Sequence, residues 1–462
     1  MYPAKAHARK VTEHFFSKQS KTKAAYFIAG SKLKLYPYCD MPGPLRQNRY
    51  FYYLSGVNQI SGCYILYQTH IDKLTLFLPD VDEDDIMWSG LPLFPEEAVQ
   101  KYDVDEVLYA SVVDTVLKEL AESGTKIFTT DTDEYAKSSF AKYVIPGDKH
   151  FFYALDEARL IKDSFEIELL RKAAKITDNS HLAVMSALPI EKNEGHIHAE
   201  FLYHSIRQGS KFSAYDPICC SGPNCGTLHY IKNDQDMAGK ESVLIDAGAE
   251  WECYAADVTR CFPINGKWTK EHLEIYNAVL DMQTQCMAQI RPGAQWEDVH
   301  FLAHKVLIKN FLDLGIFVGN EDEIFKSGVS TCFFPHGLGH LLGLDTHDVG
   351  GRANYEDPNK MLAYLRVRRP LQAGMVVTNE PGIYFSPFLM APALKDPKLN
   401  KFIQQEIVDK YMYIGGVRIE DDILVTETGH ENLTGITSDP DEISKIVLAG
   451  ISKGKEGFHV IV

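Results

Sequence analysis

Acids and histidines sit in unusual company at five places in the second half of this 462-residue chain. Asp246 lies in VLIDAG, Asp257 in AADVTR, His340 in FPHGLGHLLGLDTHDVG, Glu380 in TNEPGIYF and Glu420 in GGVRIEDDILVT. The surrounding Val, Ile, Leu and Ala are the residues of buried strands. A carboxylate in such a setting is costly unless it is paired, hydrogen-bonded or metal-bound. One such acid is often half of a salt bridge; several in separate apolar segments point to a shared partner, and a metal centre is the economical one. Strand parity places Asp246 with Leu244, Asp257 with Ala255 and Thr259, Glu380 with Thr378, and Glu420 with Arg418. AGAEWECYAA, between the two aspartates, is long enough for a hairpin that brings both carboxylates to adjacent strand positions. Four carboxylates and an imidazole exceed the ligand set of a single zinc ion. Two divalent cations roughly 3.5–4 Å apart would balance them, and a water held between the two would be acidified into a nucleophile. Oxygen ligands favour Mn²⁺, with Co²⁺ or Zn²⁺ as alternatives.

These groups need a scaffold, and its signals are readable. A boundary falls near 155–163, dividing the chain into domains 1–160 and 161–462. Asp163 can cap a helix, with Glu166 three residues later completing the capping pattern and Ile167, Leu170 and Ala174 on one face. Further helices are predicted around 192–207, at 270–290 with the stripe Ile275, Val279, Met282, Cys286 and Ile290, and from Trp296 to Leu314. Strand-like segments cover 242–248, 253–263, 374–380 and 413–426, which makes the larger domain α+β. The first third reads as a smaller α/β domain. Residues 50–68 suggest two strands broken at Ser55-Gly56, 74–79 a third strand, 81–90 an acidic loop and 112–122 a short helix.

Lys plus Arg number 47 and Asp plus Glu 63, a net charge of −16. That balance argues against non-specific nucleic-acid binding and against docking on anionic membranes. No apolar stretch is long enough to span a bilayer and no secretory h-region follows the N-terminus, so a cytoplasmic protein is expected. Nine cysteines without a CxxC pair fit reduced thiols. Three motif matches are set aside. Gly450-Ile451-Ser452-Lys453-Gly454 is followed by only eight residues, without an Asp, too few to complete a hydrolase triad. The glycines of 337–343 have the wrong spacing for a dinucleotide site, and His430-Glu431 has no second zinc-binding His. His196, His198 and His204 read as ordinary helix residues.

The order Asp246, Asp257, His340, Glu380, Glu420, with HGLGH, THDVG, EPGIYF and GGVRIED, resembles the pita-bread metallopeptidases of family M24. The likeness runs through about 165–440, and YFYYLSG is similar to the extra N-terminal domain that aminopeptidase P and prolidase carry. The resemblance implies a pita-bread catalytic domain behind a smaller α/β domain, a homodimer, and cleavage of Xaa-Pro peptides or dipeptides. It implies that Asp246 chelates one metal, that Asp257 and Glu420 bridge both, and that His340 binds the other with Glu380, the general base, beside it. His229 in TLHY and His347 orient the scissile carbonyl and stabilise its oxyanion. His336 matches a further active-site histidine, and Tyr384 lines the site. Arg418 and Thr259 support the ligands, Arg418 through an ion pair with Glu420. Arg366 matches the prolidase arginine that grips a dipeptide's carboxylate, which tilts the reading towards an Xaa-Pro dipeptidase; the alternative is an Xaa-Pro aminopeptidase for longer peptides. A non-catalytic binding protein on this fold would have lost ligands, and all five are present.

Overall fold

The structure, a computed structural model, describes residues 1–130 and 135–453. The chain clusters into two compact units, Met1–Leu160 and Ile161–Val462.

The first unit is built on a six-stranded sheet in the order Glu106–Tyr109, Lys73–Leu78, Tyr64–Gln68, Ala24–Ala29, Lys126–Thr129, Val144–Pro146. Ala24–Ala29 is buried along its whole length, because alternate side chains meet apolar cover on both faces. Ala25, Phe27 and Ala29 pack with Val113 and Leu117 of helix Val113–Glu122. On the other face Tyr26 meets Phe15 of helix Ala4–Lys18 and Phe151 of helix Lys149–Leu160. Two expectations fail here. Arg49–Ser55 is a helix, not a strand: Asn48 accepts from the Phe51 N–H at its start, and Gly56 ends it at φ 69°. An aromatic run this short carries no decisive period, so the caps win. The acidic segment forms helix Glu83–Ser89, whose first turn holds Glu83, Asp84 and Asp85, where negative charge suits the helix dipole.

The second unit is α+β. Its long helices are Ser164–Ala187, Glu194–Arg207, Lys270–Met287, Trp296–Asp313 and Pro440–Lys453. Asp163 and Glu166 form a complete capping box on the first. Ile275, Val279, Met282, Cys286 and Ile290 are all buried. Gly450 to Lys453 lie on the last helix; Gly454 is outside the described residues. The strands form small antiparallel sheets: Thr259–Pro263 with Ser242–Asp246 and Ile218–Ser221, Val376–Asn379 with Asp421–Val425 and His430–Asn432, and Gly382–Tyr384 with Gly416–Arg418. The anticipated hairpin is there: Glu250–Trp251 pairs with Tyr254–Ala255 across Glu252 and Cys253, both at positive φ. Gly248 lies where the two arms of that hairpin run closest, and a methyl group there would collide with the Ala256 carbonyl. Buried Arg260 ties the first two sheets together, donating to Asp421 at 2.7 Å and to the Glu420, Ile436 and Thr437 carbonyls. No helix among the described residues is long and apolar enough to cross a membrane.

Candidate metal centre

The segments expected as continuous strands at 253–263 and 413–426 are each broken, and the breaks carry acids. Asp257 lies between Tyr254–Ala255 and Thr259–Pro263; Glu420 lies between Gly416–Arg418 and Asp421–Val425. Glu380 follows Val376–Asn379, and Asp246 ends its strand. These carboxylates therefore sit at strand ends and interruptions rather than inside strands, where released backbone lets side chains from different sheets turn towards one another. The junction is held by an isolated bridge between Thr259 and Glu420, and by the Asp246–Thr259 register.

The acids meet on one wall of a cavity of about 910 Å³. Nε2 of His340 lies 3.3 Å from Asp257 Oδ2 and 3.4 Å from Glu380 Oε1. Its Nδ1 is 3.0 Å from the Leu341 carbonyl, which fixes the tautomer that leaves Nε2 facing the acids. Thr378 donates its hydroxyl to Glu380 at 3.2 Å and accepts from the His340 N–H at 3.0 Å, setting the two side by side. The Tyr215 hydroxyl stands 2.5 Å from Asp246 Oδ1 and 2.6 Å from Asp257 Oδ1. Asp422 accepts the Asp257 N–H at 3.1 Å. Thr259 donates to Glu420 at 2.6 Å.

Arg418 reaches more partners than the sequence suggested. Nη2 donates to Asp246 at 2.6 Å, Nη1 to the Tyr384 hydroxyl at 2.8 Å and Nε to Thr259 at 3.0 Å, whereas Glu420 is 3.9 Å away. Its closest ion pair is with Asp246, and the expected pair with Glu420 is present as the longer of the two. Tyr384 accepts from Arg418 and donates to His336 Nε2 at 2.8 Å, whose Nδ1 in turn meets the Gly337 carbonyl at 2.8 Å.

Electrostatically the wall is short of positive charge. Burial, then the neighbouring carboxylates, pushes Glu420 well above the ordinary range. Burial pushes Glu380 up to about 7, and it raises Asp246 against the pull of Arg418. Burial and then Arg418 drive His336 down to about 3, so it is neutral. For His340 burial lowers the pKa, but Asp257 and Glu380 outweigh it and the net direction is up. One guanidinium against four carboxylates is a donor set suited to divalent cations. Ligand atoms of Asp257, His340 and Glu420 all lie within 4.8 Å of one another.

Residues 168–427 match the model of metallopeptidase family M24. The chain belongs to metallopeptidase family M24. Residues 7–128 match the aminopeptidase P N-terminal domain, so the M24 pita-bread domain follows a smaller one along the chain. An uncharacterized peptidase of Saccharomyces cerevisiae is 57% identical, covering 100% of this chain and 87% of its own length. A probable Xaa-Pro aminopeptidase of Sordaria macrospora is 44% identical over 96% of both chains. Zinc-substituted Escherichia coli aminopeptidase P in complex with product is 30% identical, with TM-score 0.79 over 97% of this chain and 98% of that one. This M24 chain is a peptidase.

Of the residues singled out in the sequence, Asp246, Asp257, His340, Glu380, Glu420, His229, His336, His347, Arg366 and Arg418 line the cavity of this M24 peptidase. Tyr384 and Thr259 stand behind its wall, reached through Arg418. The His347 ring meets that of His340 edge-on, with centroids 4.5 Å apart. Sequence reading missed Tyr215 and Asp422. Tyr215 sits in FSAYDP, which has no period to mark it. Asp422 shares strand parity with Glu420, and that signal was available.

Proposed function

We propose that this M24 peptidase hydrolyses Xaa-Pro bonds at peptide N-termini, with two divalent cations, Mn²⁺ favoured, held by Asp246, Asp257, His340, Glu380 and Glu420. The observation that carries the reading is the convergence of four carboxylates, three of them on buried residues, on one cavity wall beside the Arg418 guanidinium. Bound there, the cations would supply an acidified water and a Lewis acid for the scissile carbonyl. Glu380 accepts the proton from the attacking water as general base. His229 and His347, facing the same cavity, orient the carbonyl and donate to the oxyanion. Arg418 holds Asp246 and Tyr384, and Tyr384 keeps the neutral His336 in place. A prolyl nitrogen offers no N–H, so recognition rests on the shape of the cavity rather than on that donor.

Among three neighbouring arginines, two are committed elsewhere. Arg368 pairs with Glu297 at 2.6 Å and Asp357 at 2.9 Å, and Arg369 donates to the Gly350 carbonyl. Arg366 lines the cavity and has no acidic partner among the described residues. This supports Arg366 as the clamp for a dipeptide carboxylate and the chain as an Xaa-Pro dipeptidase. The second reading, an Xaa-Pro aminopeptidase for longer peptides, is favoured by the names of the relatives. Rates on Xaa-Pro and Xaa-Pro-Yaa, with Mn²⁺ restored after chelation, separate the two. Arg366→Ala should raise KM at least tenfold for the dipeptide and far less for the tripeptide; equal effects would remove the clamp. We further propose that the enzyme is a homodimer, as the likeness to aminopeptidase P and prolidase implies, that it is cytoplasmic, as its thiols without a CxxC pair suggest, and that its domain boundary lies near 160, just before the capping box of Asp163.

A further inference from the structure

His229 rides on a stretch of chain held firmly at both ends and loosely between them. At one end Asn224 and Ser221 bond to the carboxylate of Glu194, the first residue of helix Glu194–Arg207. At the other end the Gln235 carbonyl accepts the Glu194 N–H at 3.0 Å, and the Met237 N–H reaches the Lys192 carbonyl at 2.8 Å. Asn233 accepts from the Cys219 N–H and donates to the Pro217 carbonyl. Between these anchors Leu228, His229 and Ile231 face the cavity. His229 is an exposed residue, and so is Ile231 at 57%.

Tyr230 lies between His229 and Ile231 and turns the other way. Its hydroxyl donates to Glu194 Oε2 at 2.7 Å. Among the described residues from 228 to 232, it is the only side chain with a hydrogen bond. Its acceptor is rigid. Glu194 is completely buried, and its carboxylate takes five donors: the Ser221 N–H and hydroxyl, the Asn224 amide, the Tyr230 hydroxyl and the Gln235 N–H. Lys240 stands 3.7 Å away. Those bonds keep it ionised: burial alone would raise its pKa, but Ser221, Asn224 and Tyr230 outweigh that and lower it. A hydroxyl bonded to a buried carboxylate makes a short, strong, directional contact.

We propose that Glu194 and Tyr230 form a positioning clamp for His229. The buried carboxylate holds the Tyr230 hydroxyl, which fixes the backbone beside His229 and with it where the His229 ring stands in the cavity. Neither residue touches substrate; both act through His229, and the inference rests on His229 contacting substrate as proposed above. A catalytic group displaced by about 1 Å can cost up to ~10²-fold in rate, so a partial release of the stretch should cost less.

The test is a double-mutant cycle in the metal-loaded enzyme, with kcat and KM on an Xaa-Pro substrate, metal content and melting temperature all measured. Tyr230→Phe keeps the ring and removes the hydroxyl. It should lower kcat about tenfold with metal content unchanged, and Glu194→Gln should lower kcat in the same direction. In a His229→Ala background, Tyr230→Phe should change kcat less than twofold, because nothing remains for the clamp to position. A full tenfold loss in that background would overturn the clamp while leaving the role of His229 intact. So would a Tyr230→Phe enzyme with unchanged kcat. If His229→Ala itself costs nothing, the substrate role of His229 and the clamp fall together. A merely structural Tyr230 would lower the melting temperature equally in both backgrounds and show no such coupling in kcat.

Discussion

The stabilisation that the cations supply should grow as pH rises from 5 to 7, because the acids whose protons they replace have raised pKa values. In the chelated protein Glu380 has an ordinary pKa of 4.5 when unfolded and about 7 when folded, raised first by burial. Between those values the folded state holds the proton more tightly, so folding is favoured at low pH and loses that advantage as pH rises. Over the interval from 4.5 to about 7, at roughly 1.4 kcal/mol per pH unit, Glu380 alone contributes on the order of 3 kcal/mol. Asp246 and Glu420 are raised as well and act in the same direction. Histidines oppose them. His300 is lowered to about 4, and His304 and His272 are also lowered by burial; each destabilises the fold as pH drops below 6.5. His336 and His347 are lowered by burial too and line the cavity; a neighbouring cation also disfavours their charged form, so all five stay neutral when folded in either state and the readout is the difference between the two forms. Unfolding midpoints in urea at pH 5, 6, 7 and 8, with chelator and with Mn²⁺, should show a gap that widens between pH 5 and 7 by about 2 kcal/mol or more. Glu380→Gln should close a large part of it. A gap that does not change with pH, or one that narrows as pH rises, would refute the reasoning, because the buried acids would then not be the groups that the metal replaces.

Asp257→Asn should abolish peptidase activity and lower bound metal as measured by elemental analysis; a variant that keeps both sinks the two-cation assignment. Gly248→Ala forces a methyl against the Ala256 carbonyl next to Asp257. It should cost about 1–3 kcal/mol in unfolding and reduce metal content, and an unperturbed variant would mean the hairpin is looser than its packing implies. Arg260→Met removes the guanidinium from a pair whose side chains are 1% and 5% exposed, leaving Asp421 to Gln283 and Asn432 alone. About 3–5 kcal/mol should be lost, read as a lower denaturant midpoint, and a loss under 1 kcal/mol would show that Asp421 is content with its amides.

Several features of this protein were legible without coordinates because they depend on neighbours close in the chain. The capping box of Asp163 and Glu166 spans three residues, and the stripe from Ile275 to Ile290 repeats every helical turn. The acids showed themselves by sitting in apolar strand sequence, since burying charge demands a reason. The same signals in HGLGH, EPGIYF and GGVRIED pointed to family M24. Where short-range preferences compete, they misled: YFYYLS looks like a strand, and only caps at Asn48 and Gly56 make it a helix. Tertiary structure alone decided the rest. Arg418 donates to Asp246, 172 residues away, at 2.6 Å and stands 3.9 Å from its near neighbour Glu420, and no local signal names the distant partner as the tighter one. Tyr215 reaches two acids, and Glu194 holds a loop from 27 to 41 residues downstream, through contacts that no periodicity announces. Period and capping are written in consecutive residues, so the chain by itself specifies its elements and which few acids are costly to bury. Which of those groups meet, and what props each in place, is settled only when separate sheets pack and every buried polar atom must find a partner.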